Sequence, residues 1–141
     1  MKFFATKTMI QAKPEVIWSL LTNAADYPTW NSTVDRVDGQ VAPGERITVH
    51  ASAAKGRAFP LTVQSFDAPR RMVWSGGMPL GLFSGRRTFT LTPQQDGVVE
   101  FSMREEFTGL LAPLITKSIP DLQPAFDTFA ADLKRRAEQG R

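Results

Sequence analysis

The sequence predicts an α+β protein in which an antiparallel sheet is followed by a long C-terminal helix. Residues that alternate between apolar and polar character, as in strands, fill most of residues 34–108, whereas helical patterns lie at residues 14–30 and after residue 119. Helices that are segregated from strands along a chain are typical of α+β folds with antiparallel sheets. The length of 141 residues fits one domain that covers residues 1–141.

Composition excludes several classes of function. The chain has no cysteine, so disulfides, thiolate nucleophiles and zinc–sulfur sites are excluded. The net charge of +3 is mildly basic, but no nucleic-acid-binding motif accompanies it, and we expect no nucleic-acid partner. No signal peptide or membrane span is readable, which predicts a cytoplasmic protein. We expect no cofactor and no metal ion.

The N-terminal part of the chain predicts a strand and two short helices. Residues 3–10 alternate weakly between apolar and polar. Pro14 suits the first turn of a helix because its missing N–H has no helical partner there. Apolar residues at helical spacing then continue over residues 17–24. A break at Tyr27-Pro28 leads into a second short helix that ends near Trp30.

Six strands are predicted between this second helix and residue 108. Each is a short run of alternating residues, and turns that contain Gly, Pro and Asp separate the runs. A sheet with one apolar and one polar face is typical of an antiparallel sheet whose apolar face packs on a core and whose polar face meets water. The predicted strands are residues 34–38, 45–53, 58–66, 71–76, 85–94 and 98–108.

Loop lengths predict which side chains face each other in two hairpins. The register of the first hairpin follows if its turn, residues 67–70, is a four-residue loop, and the last hairpin has a predicted three-residue loop that ends in a left-handed Gly97. A slip by one residue would turn the apolar set towards water, so these registers are specific. The predicted pairs are Val63–Trp74 and Ser65–Met72 in the first hairpin, and Leu91–Phe101, Phe89–Met103 and Arg87–Glu105 in the last.

The final helix is predicted over residues 119–138. Ser118 is its predicted cap, and both Pro120 and Pro124 fall within its first two turns. Apolar residues at helical spacing between residues 122 and 133 form one stripe, which predicts a face that packs against the sheet.

Four stretches of the chain match patterns of a known family. They are Val16-Ile17-Trp18, Tyr27-Pro28-Thr29-Trp30-Asn31, Gly85-Arg86-Arg87-Thr88-Phe89 and Phe126-Asp127-Thr128-Phe129. With these stretches and the element order β-α-α-β6-α, nearly the whole chain resembles the START-like (SRPBCC) family of helix-grip domains, which includes polyketide cyclases and lipid-transfer proteins. The resemblance implies a curved sheet wrapped around the C-terminal helix, a cavity between the two, and a small apolar ligand.

In such a fold, inward-facing side chains of the sheet and the last helix are predicted to meet the ligand. The alternative for the aromatic and methionine residues is plain core packing, and we expect at least half of the set to line the cavity. Apolar walls with a few polar groups are typical of small-molecule sites. The predicted ligand-binding residues are Trp30, Val63, Met72, Trp74, Arg87, Phe89, Phe101, Met103, Glu105, Phe126 and Phe129.

Arg87 and Glu105 are charged residues predicted on the inner face. The structural interpretation is a cross-strand ion pair at the cavity rim. In the functional interpretation, Arg87 holds a carboxylate, enolate or phosphate, and Glu105 positions the guanidinium or acts as a base. Both are candidate catalytic residues, with Tyr27 as a further group for proton transfer. The single histidine, His50, is predicted on the wet face of its strand and is interpreted as solvated.

Three functions follow from this sequence. The leading one is the binding or transport of a small hydrophobic or amphipathic ligand in a cavity between the sheet and the C-terminal helix. The second is a polyketide cyclase/dehydratase-type enzyme, and the sequence leaves open whether any reaction is catalysed. The third is a protein-interaction module, such as one that assists a chaperone.

Two loop segments, residues 76–85 and 110–115, are apolar although loops that only face water are normally polar. They have several interpretations: they pack on each other and close one end of the sheet, or they gate the cavity, form a dimer or touch a membrane. The expected partner is therefore a small hydrophobic ligand, the expected state is a monomer or a homodimer, and a membrane contact is a further but weaker prediction.

Overall fold

The computed structural model describes residues 2–52 and 57–139. Within these residues, seven strands form one antiparallel sheet that curls into a half-barrel, in the order β1-β7-β6-β5-β4-β3-β2. The predicted α+β helix-grip fold is confirmed. The strands are β1 (Lys2–Ile10), β2 (Val34–Gly39), β3 (Arg46–Ala51), β4 (Arg57–Asp67), β5 (Arg71–Met78), β6 (Phe83–Pro93) and β7 (Val99–Thr108).

The helices lie before β2 and after β7, as the pattern predicts. Single 3₁₀ turns follow the first and third helices, and none of the described helices is both long enough and apolar enough to cross a bilayer. The predicted strand at residues 45–53 extends beyond β3 into residue 53, which lies outside the described residues. The helices are α1 (Pro14–Thr22), α2 (Tyr27–Trp30), α3 (Ala112–Ile115) and α4 (Gln123–Gln139).

The core lies between the concave face of the sheet and α4. Phe129 of α4 is buried, and its ring centroid lies 6.1 Å from that of Phe89 on β6 and 6.2 Å from that of Phe101 on β7. One turn earlier, Phe126 packs against Phe4 of β1 at 5.9 Å. Burial of each such side chain contributes about 1.5–3 kcal/mol, which holds the helix on the sheet.

Most of the predicted cross-strand pairs are confirmed. Val63 faces Trp74, and all three predicted pairs of the last hairpin are formed. Gly97 has the expected left-handed conformation, with φ at +73°. The pair Ser65–Met72 is wrong because the ladder is irregular between Gln64 and Asp67, where Ser65 has φ at +49°. A bulge of this kind inserts a residue and shifts the register locally.

The final helix begins four residues later than predicted. α4 begins at Gln123, so Pro124 falls in the first turn, where its missing N–H costs no hydrogen bond. Ser118 does not cap α4; its hydroxyl donates to the carbonyl oxygen of Ile115 at 2.8 Å. The carboxylate of Asp121 instead accepts the Gln123 backbone N–H at 3.0 Å.

A buried carboxylate attaches α4 to the segment that follows α2. Oδ2 of Asp132 accepts the backbone N–H and the hydroxyl of Ser32, both at 2.8 Å, and Oδ1 accepts Arg135 Nη2 at 2.9 Å. Burial alone would raise the pKa of Asp132, but these hydrogen bonds outweigh it and hold the pKa below its ordinary value. The ionised carboxylate is therefore part of what holds α4 in place.

We expect Asp132→Asn to lower the free energy of unfolding by about 1–3 kcal/mol at neutral pH, because charge-assisted hydrogen bonds are lost from a buried group. Since the folded-state pKa is lowered, the stabilisation is present above the unfolded-state pKa of about 3.9 and is lost as pH falls through the folded-state value. Urea unfolding of wild type and Asp132→Asn between neutral and acidic pH measures the difference between their free energies of unfolding. This difference should disappear at low pH.

The matched control is Asp96→Asn in the exposed loop of the last hairpin, which should change the free energy of unfolding by less than about 0.5 kcal/mol. A gap between wild type and Asp132→Asn that stays constant down to strongly acidic pH would contradict the role assigned to the ionised carboxylate.

Candidate functional site

A row of inner-face residues crosses the sheet at Arg87. On β5 its cross-strand partner is Trp74, and on β7 it is Glu105, which in turn faces Phe4 of β1. The hairpin register predicted from the sequence therefore brings two charged side chains into an otherwise apolar row. Charges in such a place are costly unless they are paired and hydrogen-bonded.

The two charged residues form a close ion pair beneath α4. Arg87 Nε and Nη2 both donate to Glu105 Oε1, at 2.9 and 2.8 Å. The guanidinium carbon of Arg87 lies 4.8 Å from the centroid of the Phe126 ring, so a cation–π contact joins the pair to α4. Glu105 Oε2 and Arg87 Nη1 make no hydrogen bond with the part of the chain that the structure describes. Both groups are thus able to contact a further molecule.

Solvent reaches this pair although it lies between sheet and helix. The Arg87 and Glu105 side chains keep 22% and 17% of their accessible surface. One step along the strands, Gly85 faces Gly76, so two neighbouring inner-face positions carry no side chain. A Cβ added at Gly85 would lie 3.4 Å from Glu105 Oε2, which shows how near the carboxylate is. At Gly76 the space is filled by β4, since an added Cβ would lie 2.6 Å from the carbonyl oxygen of Pro60. We call the partly exposed region around Gly85, Arg87 and Glu105, with Gly76 beside it, the polar crevice.

Several apolar side chains pack against the buried cluster and stay partly exposed, in contrast to those at its centre. Such side chains can move aside for a guest more readily than fully packed ones. Among them are Leu61 on β4, Phe83 at the start of β6, and Ile119 and Leu122 in the segment before α4.

The nine apolar candidates from the sequence are all buried and form one packed cluster. Ring centroids of Trp74 and Phe89 are 4.6 Å apart, and those of Trp30 and Phe129 are 5.7 Å apart. Two clefts, of about 440 and 410 Å³, lie at the sheet end near residues 76–84 and 107–116 instead of among these rings. The buried candidates are Trp30, Val63, Met72, Trp74, Phe89, Phe101, Met103, Phe126 and Phe129.

Three polar atoms inside the structure are hydrogen-bond donors without a partner among the described residues. They are Nε1 of Trp30, Nε1 of Trp74 and Nδ2 of Asn31. A buried donor left unpaired costs about 1–3 kcal/mol, so each can gain from an added acceptor such as a water or a ligand oxygen. Of these three residues, Trp74 is the cross-strand neighbour of Arg87.

Tyr27 is not free to transfer a proton in this structure. Its ring is fully buried, and its hydroxyl donates to the carbonyl oxygen of Leu21 at 2.7 Å. Burial raises the pKa of Tyr27 well above its usual value, although the nearby Arg87 opposes part of the rise. The Tyr27 hydroxyl is therefore neutral and structural, and Arg87 and Glu105 are the candidates that keep unbonded polar atoms.

His50 lies apart from this site, on the opposite face of the sheet. Its Nε2 is 2.9 Å from Asp38 Oδ2, and Arg36 contacts the same carboxylate. The hydrogen bond with His50 lowers the pKa of Asp38, and Arg36 adds to the effect. Within residues 2–52 and 57–139, no group of three or more His, Asp or Glu residues is arranged to hold a metal ion.

The fold and the site together define a helix-grip protein with a charged pair on the inner face of its sheet. A family model described as "Polyketide cyclase / dehydrase and lipid transport" matches residues 2–138, and the chain belongs to this family. The comparison with curated proteins found no match.

Solved structures with the same fold share little sequence with this chain. MLL2253 from Mesorhizobium loti is 18% identical over 99% of both chains, with a TM-score of 0.73. A START superfamily protein from Mycobacterium smegmatis is 16% identical over 99% of both, with a TM-score of 0.69. The di-domain ARO/CYC BexL of the BE-7585A biosynthetic pathway is 15% identical, with a TM-score of 0.71; the match covers 96% of this chain and 46% of BexL. At such identities the likeness supports the fold alone.

Two features of the site did not come from sequence reasoning. The facing glycines Gly76 and Gly85 belong to the β5–β6 ladder, whose register the sequence analysis did not work out. The four glycines of residues 76–85 were the available signal, since glycine inside a strand often marks a close approach. The unpartnered indole donors could not be foreseen, because they depend on how neighbouring rings pack.

We expect Arg87→Met to lower the free energy of unfolding by about 1–3 kcal/mol, because it leaves the Glu105 charge unpaired and only partly solvated. The double variant Arg87→Met/Glu105→Gln should recover much of this loss. Urea unfolding of wild type, both single variants and the double variant gives the coupling energy in a double-mutant cycle.

The control is the outer-face pair Arg104–Glu106, which has the same 2.8 Å contact in a more exposed setting. Its cycle with Arg104→Met and Glu106→Gln should give a coupling energy of about 0–1 kcal/mol. Equal coupling energies for the two pairs would show that the inner position of Arg87 and Glu105 has no energetic consequence.

Proposed function

We propose that the protein binds a small amphipathic ligand at the polar crevice, with the polar end of the ligand on Arg87. The observation that carries the proposal is the half-buried Arg87–Glu105 pair, which lies beneath α4 and beside two facing glycines. The missing side chain at Gly85 leaves Glu105 Oε2 uncovered on that side, whereas Gly76 is required by the close approach of β4: its added Cβ would lie 2.6 Å from the carbonyl oxygen of Pro60. Membership of a family described by polyketide cyclases and lipid transport agrees with a ligand of this kind.

Arg87 determines the chemistry of the ligand's polar end. Its Nη1 is available while Nε and Nη2 hold Glu105, so one direct hydrogen bond to an acceptor is possible without breaking the ion pair. A guanidinium favours planar acceptors such as carboxylates, and charge-assisted bonds of this type are about twice as strong as neutral ones. Glu105 already neutralises the guanidinium, so a carbonyl, enol or singly charged carboxylate fits better than a highly charged group.

The apolar part of the ligand would lie along the glycine side of the polar crevice. The partly buried Phe83 and Leu122 would cover it there, while the packed rings of the cluster form the floor beneath. This division changes the expected role of the nine apolar candidates: most of them support the site, and Trp74, next to Arg87, is the one best placed to sense a ligand.

The test is a titration with fatty acids and with polyaromatic carboxylic acids, followed by tryptophan fluorescence. Arg87→Gln should weaken binding by about 10- to 100-fold, the effect of losing one hydrogen bond to a charged group. Gly85→Leu should also abolish binding, because it fills the polar crevice without changing any charge. Arg104→Gln on the outer face is the matched control and should bind like wild type.

Native mass spectrometry of freshly purified protein adds an independent measurement, since a co-purified molecule would reveal the ligand class. The proposal fails if neither ligand class alters the fluorescence and no molecule co-purifies. It also fails if Arg87→Gln and Arg104→Gln weaken binding to the same extent.

A second candidate function is a cyclase or dehydratase reaction at the same position, and the unbonded Oε2 of Glu105 favours it. A carboxylate oxygen that faces an open crevice is able to accept a proton from carbon next to a ligand carbonyl, while Arg87 Nη1 stabilises the enolate that forms. Most of the acceleration would come from holding the chain in a reactive geometry.

Under this second function we expect Glu105→Gln to lower kcat on a poly-β-carbonyl substrate by about 100-fold or more, the usual contribution of a general base. KM should change little, because the amide keeps the shape of the side chain. Glu106→Gln on the outer face should leave both parameters unchanged. The alternative outcome is that wild type shows no turnover and that Glu105→Gln binds carboxylate ligands more tightly, because Arg87 loses its counter-charge. In that case simple binding is the function.

A further inference from the structure

Four large apolar side chains are exposed together at one end of the sheet. Met78 ends β5 and Leu80 lies in the turn to β6, while Leu110 precedes α3 and Leu114 lies within it. Their neighbours in the chain are uncharged: residues 76–85 and 107–116 contain no Asp, Glu, Lys, Arg or His. We call this set the apolar tip; it consists of Met78, Leu80, Leu110 and Leu114, which expose 48%, 92%, 81% and 68% of their surface.

Backbone hydrogen bonds hold the two halves of the apolar tip side by side. The N–H of Leu110 donates to the carbonyl oxygen of Gly81 at 3.1 Å, and the N–H of Leu111 donates to that of Leu82 at 2.8 Å. Leu80 itself has φ at +62°, a conformation that is uncommon for residues other than glycine. The exposure of these leucines is thus built into the backbone of both segments.

Basic residues surround the apolar tip. One flanking cleft is lined by Met78, Pro79 and Arg46, and the other by Lys2 and residues of α3. Lys117 lies in the 3₁₀ turn that follows α3. None of the described residues that line the two clefts is acidic. An exposed apolar centre with a basic rim has the charge and polarity expected of a surface that meets anionic headgroups.

We propose that the apolar tip docks on a lipid bilayer that contains anionic lipids. Leu80 and Leu110 enter the headgroup boundary, while Lys2, Arg46 and Lys117 contact lipid phosphates. A second copy of this chain is the poorer partner, because a two-fold contact places the same surface on both sides and sets the basic rim against itself. The docking does not depend on a ligand at Arg87.

The experiment is co-sedimentation of the full chain with vesicles of phosphatidylcholine alone and of phosphatidylcholine mixed with phosphatidylglycerol. Wild type should bind the mixed vesicles, and binding should weaken as salt rises because the rim charges are exposed. Leu80→Ser and Leu110→Ser should each lower the partition coefficient by about tenfold, as expected when one leucine no longer leaves water.

Two methionines of equal exposure provide the control. Met78→Ser in the apolar tip should weaken vesicle binding, whereas Met9→Ser should not; Met9 is 47% exposed on β1, where it faces Glu100 near the opposite end of the sheet. Thermal unfolding checks that each variant is folded. Arg87→Gln should bind vesicles like wild type, so failure of the ligand proposal and failure of this one are distinguishable.

Three outcomes would overturn the proposal. One is that folded wild-type protein binds neither kind of vesicle. Another is that Met9→Ser lowers binding as much as Met78→Ser. The last is that wild type does not bind vesicles but is a dimer in sedimentation equilibrium, and that Leu80→Ser dissociates this dimer. The apolar tip would then be an interface between two copies.

Discussion

The contact between Phe129 of α4 and the rest of the core is the interaction on which the structure depends. Its ring lies within 6.4 Å, centroid to centroid, of rings from α2, β6 and β7. One side chain thus joins α4 to both α2 and the sheet. Such aromatic pairs contribute about 0.5–1.5 kcal/mol beyond the area they bury. Because α4 is fixed there, the Phe126 ring stays in contact with the Arg87 guanidinium and covers the polar crevice on the helix side.

The interior therefore has two parts with different physical character. Around Phe129 the space is filled by rings, and a guest there would have to displace a packed core at a cost of several kcal/mol. Around Arg87 the sheet carries two glycines and a charged pair that stays partly solvated. The polar crevice is therefore the part of the interior where the proposed ligand would add contacts instead of replacing them.

Sequence reasoning worked where local rules fix geometry. Hairpin loop lengths gave the Arg87–Glu105 pair, because register in a hairpin follows from its turn. It did not give the irregularity at Ser65 or the start of α4 at Gln123, since both depend on how distant parts of the chain pack. Nor could alternation tell which inner-face positions are fully packed: Phe89 and Gly85 lie on the same face, but Phe89 is buried among rings whereas Gly85 lies beside the partly exposed Glu105.

The polar crevice and the apolar tip lie close together along the same two strands. Gly76 and Gly85 face each other in the β5–β6 ladder, and two residues further on Met78 faces Phe83 at the edge of the tip. Two residues of strand span about 7 Å, less than the length of a short acyl chain. If the tip rests on a bilayer, the crevice opens within that distance of the lipid surface. An amphipathic ligand could then pass between membrane and protein with its apolar part shielded and its polar end drawn to Arg87, so the same placement that exposes the leucines would shorten the ligand's path through water.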